Sequence, residues 1–124
     1  MVVGPSRLGK TEWARSLGRH IYMCGLFNLA KWDNEAQYLV IDDISFPLIG
    51  GGRKALWGSQ KELTLTDKFA RKRAVKWGKP MIFLCNGDND FRYMMHKGHK
   101  YLDAVEVEYY EANAVIVEVS DRFY

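Results

Sequence analysis

What the sequence is short of narrows the reading first. Only two cysteines occur in 124 residues, Cys24 and Cys85, each alone in apolar surroundings. That excludes a disulfide framework and a cysteine-based metal site, and it points to a reducing compartment. No apolar run approaches the roughly eighteen residues that span a bilayer, and the start lacks the charged-then-apolar layout of a secretory leader. The chain is therefore expected to be soluble and intracellular, with no membrane partner. Internal repeats and low-complexity stretches are missing too. Hydrophobic residues at 48% and charged residues at 27% are those of a globular domain rather than a disordered one. A length of 124 residues leaves room for one core and one activity.

What is present begins almost at once. Gly4-Pro5-Ser6-Arg7-Leu8-Gly9-Lys10-Thr11 fits the phosphate-binding pattern G-x-x-x-x-G-K-[ST] without a mismatch. Glycines let the backbone curl so that successive N–H groups point at phosphate oxygens, and the N-terminus of a following helix adds positive potential. Lys10 would bridge the terminal phosphates of a nucleoside triphosphate. Thr11 would offer its hydroxyl to magnesium, a cation that keeps several waters and needs few protein ligands. Only Met1, Val2 and Val3 precede the motif, whereas such a loop normally follows a strand of about five residues, so the chain reads as cut at its N-terminus.

The rest of the chain supplies a setting for that loop. A helix is predicted over 12–17, with Trp13, Ala14 and Leu17 on one face and Gly18 as C-terminal cap. His20 to Cys24 reads as a buried strand and 32–37 as a polar loop. Tyr38-Leu39-Val40-Ile41 reads as a central strand closed by Asp42 and Asp43 at its C-terminal edge, where open α/β sheets bind ligands. Pro47 and three successive glycines make 45–52 a loop, and a short helix is expected over 54–60. Alternation over Glu62 to Thr66 and again over 74–77 predicts a hairpin with a basic tip. A buried strand is expected over 80–85, ending at Asn86, and a final one over 114–119. The segment 101–112 satisfies two periods. Tyr101, Leu102, Val105 and Tyr109 suit a helix, Val105, Val107 and Tyr109 also alternate with glutamates, and length favours the helix. This order predicts an α/β fold, a mostly parallel sheet flanked by helices with an inserted basic β-hairpin.

Phosphoanhydride hydrolysis needs a phosphate cradle, a metal anchor, a group that orients water and positive charge for the transition state. Asp42 would hold the metal through water and Asp43 would orient or deprotonate the attacking water, or the two would exchange these roles, although paired aspartates also simply end strands. Asn86 closes an apolar strand, where its amide needs a partner such as a γ-phosphate; its alternative is to begin the turn Asn86-Gly87-Asp88. Arg92 could reach a neighbouring subunit's nucleotide, though a lone arginine is usually a solvated charge. Six of the eighteen basic residues, Lys68, Arg71, Lys72, Arg73, Lys76 and Lys79, fall in one short stretch with Phe69 and Trp77. That combination suits a surface that tracks a nucleic-acid backbone. His96 and His99 have metal-like spacing, but no completing ligands, and read as surface residues.

Jointly these residues resemble the superfamily 3 helicase domain of Rep proteins, the replication initiators of small circular single-stranded DNA viruses such as geminiviruses and genomoviruses. The resemblance covers nearly the whole chain. It is carried by residues 4–18, Val40-Ile41-Asp42-Asp43-Ile44, Trp57-Gly58-Ser59-Gln60, Thr66-Asp67-Lys68-Phe69, Trp77-Gly78-Lys79-Pro80 and Ile82-Phe83-Leu84-Cys85-Asn86. It implies a P-loop NTPase of AAA+-like fold that uses ATP and magnesium. Lys10 and Thr11 take the Walker A role, Asp42 and Asp43 the Walker B role, and Asn86 that of the motif C sensor. Lys68 and Lys76 fall where the family places lysines on a hairpin that holds single-stranded DNA. The implied assembly is a ring, usually hexameric, that unwinds DNA 3′ to 5′, and the implied location is the host nucleus. The family's origin-nicking nuclease and oligomerisation segments would lie before the P-loop. Residues 1–124 are accordingly expected to form a single motor domain without nicking activity, whose ring assembly is in doubt. Two other readings stay open, a P-loop small-molecule kinase and a nucleotide-binding fragment without turnover of its own.

Overall fold

Tyr38-Leu39-Val40-Ile41 has no charged side chain and a single hydroxyl, which donates to the Ala14 carbonyl, so both of its faces must be covered, and the architecture around it follows from how that is done. The computed structural model describes residues 1–4, 9–44, 49, 52–67, 72–86 and 104–119. In chain order the elements are β1 (Val2–Val3), α1 (Lys10–Arg15), β2 (His20–Cys24), a 3₁₀ turn (Leu29–Lys31), β3 (Tyr38–Asp42), α2 (Arg53–Trp57), β4 (Glu62–Thr66), β5 (Lys72–Lys76), β6 (Met81–Cys85), α3 (Ala104–Ala112) and β7 (Val117–Glu118). Among the described residues, five strands form a sheet in the order β2-β3-β6-β1-β7, with every pairing parallel. The other two, β4 and β5, pair antiparallel as a hairpin. The fold is α/β, with a parallel central sheet flanked by helices.

Successive strand residues point to opposite faces, and here each face has its own core. On one side Val2, Tyr38, Val40 and Leu84 lie under Ala14 of α1. On the other, Ile21, Met23, Leu39, Ile41 and Phe83 join residues of α2, α3, the 3₁₀ turn and the hairpin. Leu39, Ile41, Phe83 and Leu84 are wholly buried, each contributing about 1.5–3 kcal/mol from loss of contact with water. The C-terminal ends of β2, β3 and β6 therefore emerge together at one edge.

The elements have the predicted types; β2 and β4 have the predicted bounds, and several others are shifted. The helix after the glycine motif stops at Arg15 and is capped at Ser16, whose N–H and hydroxyl both donate to the Trp13 carbonyl. Leu17 lies beyond it and is 54% exposed. Gly18 does not cap the helix; with φ of 152° it passes so close to Gln37 that a Cβ would meet Oε1 at 2.3 Å. The helix expected over 54–60 is Arg53–Trp57, because the chain turns at Gly58 and Ser59 has φ of 53°. The strand over 114–119 is confined to Val117–Glu118. Trp32, in a loop that reads as polar, is buried against Trp77 with ring centroids 4.8 Å apart. Cys24 is exposed rather than set among apolar neighbours, and neither cysteine is in a disulfide.

The hairpin register also corrects the basic cluster. Thr66 lies opposite Lys72 and Glu62 opposite Lys76, so Lys72 stands at the end of the ladder nearer the turn and Lys76 at the hairpin base. Leu63, Leu65 and Val75 are buried in the core, leaving Lys72, Arg73 and Lys76 exposed. Trp77 is buried and is no stacking platform. Lys79 donates to the carbonyls of Asn34 and Ala36, 2.7 Å from each, and lies over the Trp77 ring. It fastens two loops together.

Candidate functional site

Gly9 has φ of 82°, a left-handed conformation that costs a residue with a side chain about 1–2 kcal/mol. That bend lets α1 begin at once, with the Trp13 N–H donating to the Gly9 carbonyl at 3.0 Å. It delivers Lys10 and Thr11 to the sheet edge. The Lys10 ammonium donates to the carbonyl oxygens of Gly4 and Cys85, the second at 3.3 Å. Partial burial lowers the Lys10 pKa, while Cys85 and Asp42 oppose that shift.

Asp42 ends β3 beside Cys24 of β2 and Leu84 of β6. Its Oδ2 accepts from the Thr11 hydroxyl at 2.7 Å and from the Tyr22 hydroxyl at 2.8 Å. Burial, then the hydrogen bonds to Asp42 and Cys24, push the Tyr22 hydroxyl well above the ordinary tyrosine value. It is a donor at neutral pH. The Arg15 guanidinium lies 4.1 Å over the Tyr22 ring. Asp43 follows with φ of 53°, a left-handed turn that aspartate tolerates better than most residues.

Lys10, Thr11, Asp42 and Asp43 line a cavity of about 410 Å³. From the predicted set it joins Gly9, Lys10, Thr11, Asp42, Asp43 and Asn86, and it adds Glu12, Cys24, Leu84 and Cys85. Gly4 stands at the end of β1, its N–H donating to the Cys85 carbonyl at 3.1 Å. Lys72, Arg73 and Lys76 are not brought to the cavity; they lie on β5. Pro5, Ser6, Arg7, Leu8, Lys68, Arg71, Arg92, His96 and His99 lie outside the described residues. Among the described residues, no group of three or more His, Cys, Asp or Glu could hold a metal ion, and no helix is long and apolar enough to cross a membrane.

The replication-associated protein of Tobacco yellow dwarf virus (strain Australia) is 42% identical over 114 residues, 92% of this chain and 32% of that protein. The chain is a relative of viral replication-associated proteins. The replication-associated protein of Panicum streak virus (isolate Kenya) is 40% identical over 99% of the chain, and that of Maize streak virus genotype D (isolate Raw) 38% identical over 96%. The chain spans about a third of the length of these viral relatives. No family model matches it, and no solved structure does.

Tyr22 and Arg15 escaped the sequence reading. The signal in β2 is faint: Ile21 and Met23 face one core, which leaves His20, Tyr22 and Cys24 on the α1 side. Nothing in the sequence says that this strand lies beside the one ending at Asp42.

Proposed function

We propose that this chain is the motor segment of a viral-type replication initiator, coupling hydrolysis of Mg-ATP to movement along single-stranded DNA. The observation that carries the reading is the Thr11 hydroxyl donating to Asp42 at 2.7 Å beside the Lys10 ammonium, all around one cavity at the C-terminal edge of a parallel sheet. A hydroxyl has one hydrogen; with Thr11 giving it to Asp42, only lone pairs remain for a hard cation. Oxygen donors of this kind suit magnesium, which takes few protein ligands and keeps several waters. Magnesium bound there would neutralise charge on the terminal phosphates.

The chain's own groups fill the remaining roles in the proposal. Gly4 through Thr11 cradle the phosphates, and Lys10 meets the charge that develops on them. Asp42 anchors the metal with Thr11, Asp43 orients the attacking water, and Asn86 holds the γ-phosphate. Arg92 acts on the nucleotide of an adjacent copy in a ring of subunits. Lys68, Arg71, Lys72, Arg73 and Lys76 contact DNA phosphates. The names of the viral relatives support a part in replication.

Measuring ATP hydrolysis with and without single-stranded DNA tests the proposal. The Lys10→Ala variant is expected to lose DNA-stimulated turnover and at least tenfold in nucleotide affinity. Turnover equal to that of the unaltered chain would sink the proposed site.

A further inference from the structure

Resting on the nucleotide-site reading above, we infer that Tyr22 is a positioning residue for Asp42, fixing which carboxylate oxygen stays with the protein and which is left for a metal ion. Both the Thr11 and the Tyr22 hydroxyls donate to Oδ2, and among the described residues no hydrogen bond reaches Oδ1. A carboxylate turns in a broad torsional well about its last bond. One donor leaves that freedom; a second on the same oxygen, arriving from a different element, removes it.

The strand register makes this contact possible. Tyr22 lies directly opposite Val40, two residues before Asp42 and on the same face of the sheet, so its phenol extends along the strand to the carboxylate. The ring is held under the guanidinium of Arg15, on the helix that also bears Lys10 and Thr11. Helix α1 thus reaches Asp42 twice, directly through Thr11 and indirectly through Arg15 and Tyr22. Groups that orient metal ligands in this way typically carry 10- to 100-fold in metal affinity.

The test is the Tyr22→Phe variant, which keeps the ring and its contact with Arg15 but removes the donor. Fluorescently labelled ADP is titrated into the full chain with and without magnesium. Metal-free affinity is expected to match that of the unaltered chain within about twofold, while the tightening produced by magnesium falls by about tenfold. Equal magnesium tightening in the two proteins overturns the inference. So does an affinity loss of the same size with and without magnesium, which would make the tyrosine merely structural. Failure of the unaltered chain to bind ADP at all would instead overturn the nucleotide reading itself.

Discussion

The first and last glycines of the motif do different physical work. Gly9 is set by its left-handed backbone, whereas Gly4 is set by space, since a Cβ there would lie 2.5 Å from the Val119 carbonyl oxygen. The Val119 N–H donates to the Val3 carbonyl at 2.8 Å, so that neighbour cannot withdraw without breaking the end of the sheet. Gly4→Ala is expected to cost about 1–3 kcal/mol, read as a lowered urea midpoint, even without nucleotide. Lys10, Thr11, Asp42 and Asn86 were legible in the sequence because each is fixed by spacing or by its place at the end of an apolar run. The packing role of Gly4 and the hydroxyl of Tyr22 were not, because both depend on which strands are neighbours. The order β2-β3-β6-β1-β7 leaves no local trace in the chain.

Among the elements, the joint between α2 and α3 carries the polar part of the core. Arg53 pairs with Glu106 at 2.6 Å, both less than a fifth exposed, and the Tyr110 hydroxyl donates to the same carboxylate oxygen. Trp57 donates through Nε1 to the Tyr110 carbonyl at 3.0 Å. Glu106→Ala would remove the carboxylate to which the guanidinium and the phenol both donate, at an expected cost of about 1–3 kcal/mol in denaturant unfolding. Burial, then the Glu106 carboxylate, raise the Tyr110 pKa above the ordinary value of about 10. The unfolded chain therefore loses that proton first. The stabilisation is complete below about pH 10 and declines as pH rises above it, and Tyr110→Phe should flatten that decline. This joint also explains why the sequence named the helix but misjudged its face. Val105, counted on the apolar side, is 70% exposed, while Glu106 turns inward to meet Arg53. Periodicity scores a glutamate as outward and cannot register an ion pair between helices.

For the molecule as a whole, the hairpin separates the basic residues into two settings. Lys72 stands next to the tip opposite Thr66, whereas Lys76 stands at the base opposite Glu62, whose charge offsets its own. In single-strand binding measured against salt, Lys72→Ala should lower the slope of log affinity by about 0.7 and Lys76→Ala by clearly less. Equal losses would place the strand along the full length of β5 instead. The parallel sheet has a further consequence, in the order of assembly. The β4–β5 hairpin joins near neighbours in sequence, and such pairs form in about 1–10 μs. By contrast, β1 pairs with β6 and β7, far along the chain. Pairings of that reach are slow to form. The strand that leads into Gly4 through Thr11 is therefore expected to be seated late in refolding, the Lys10 ammonium settling beside the Cys85 carbonyl only once β6 is in place.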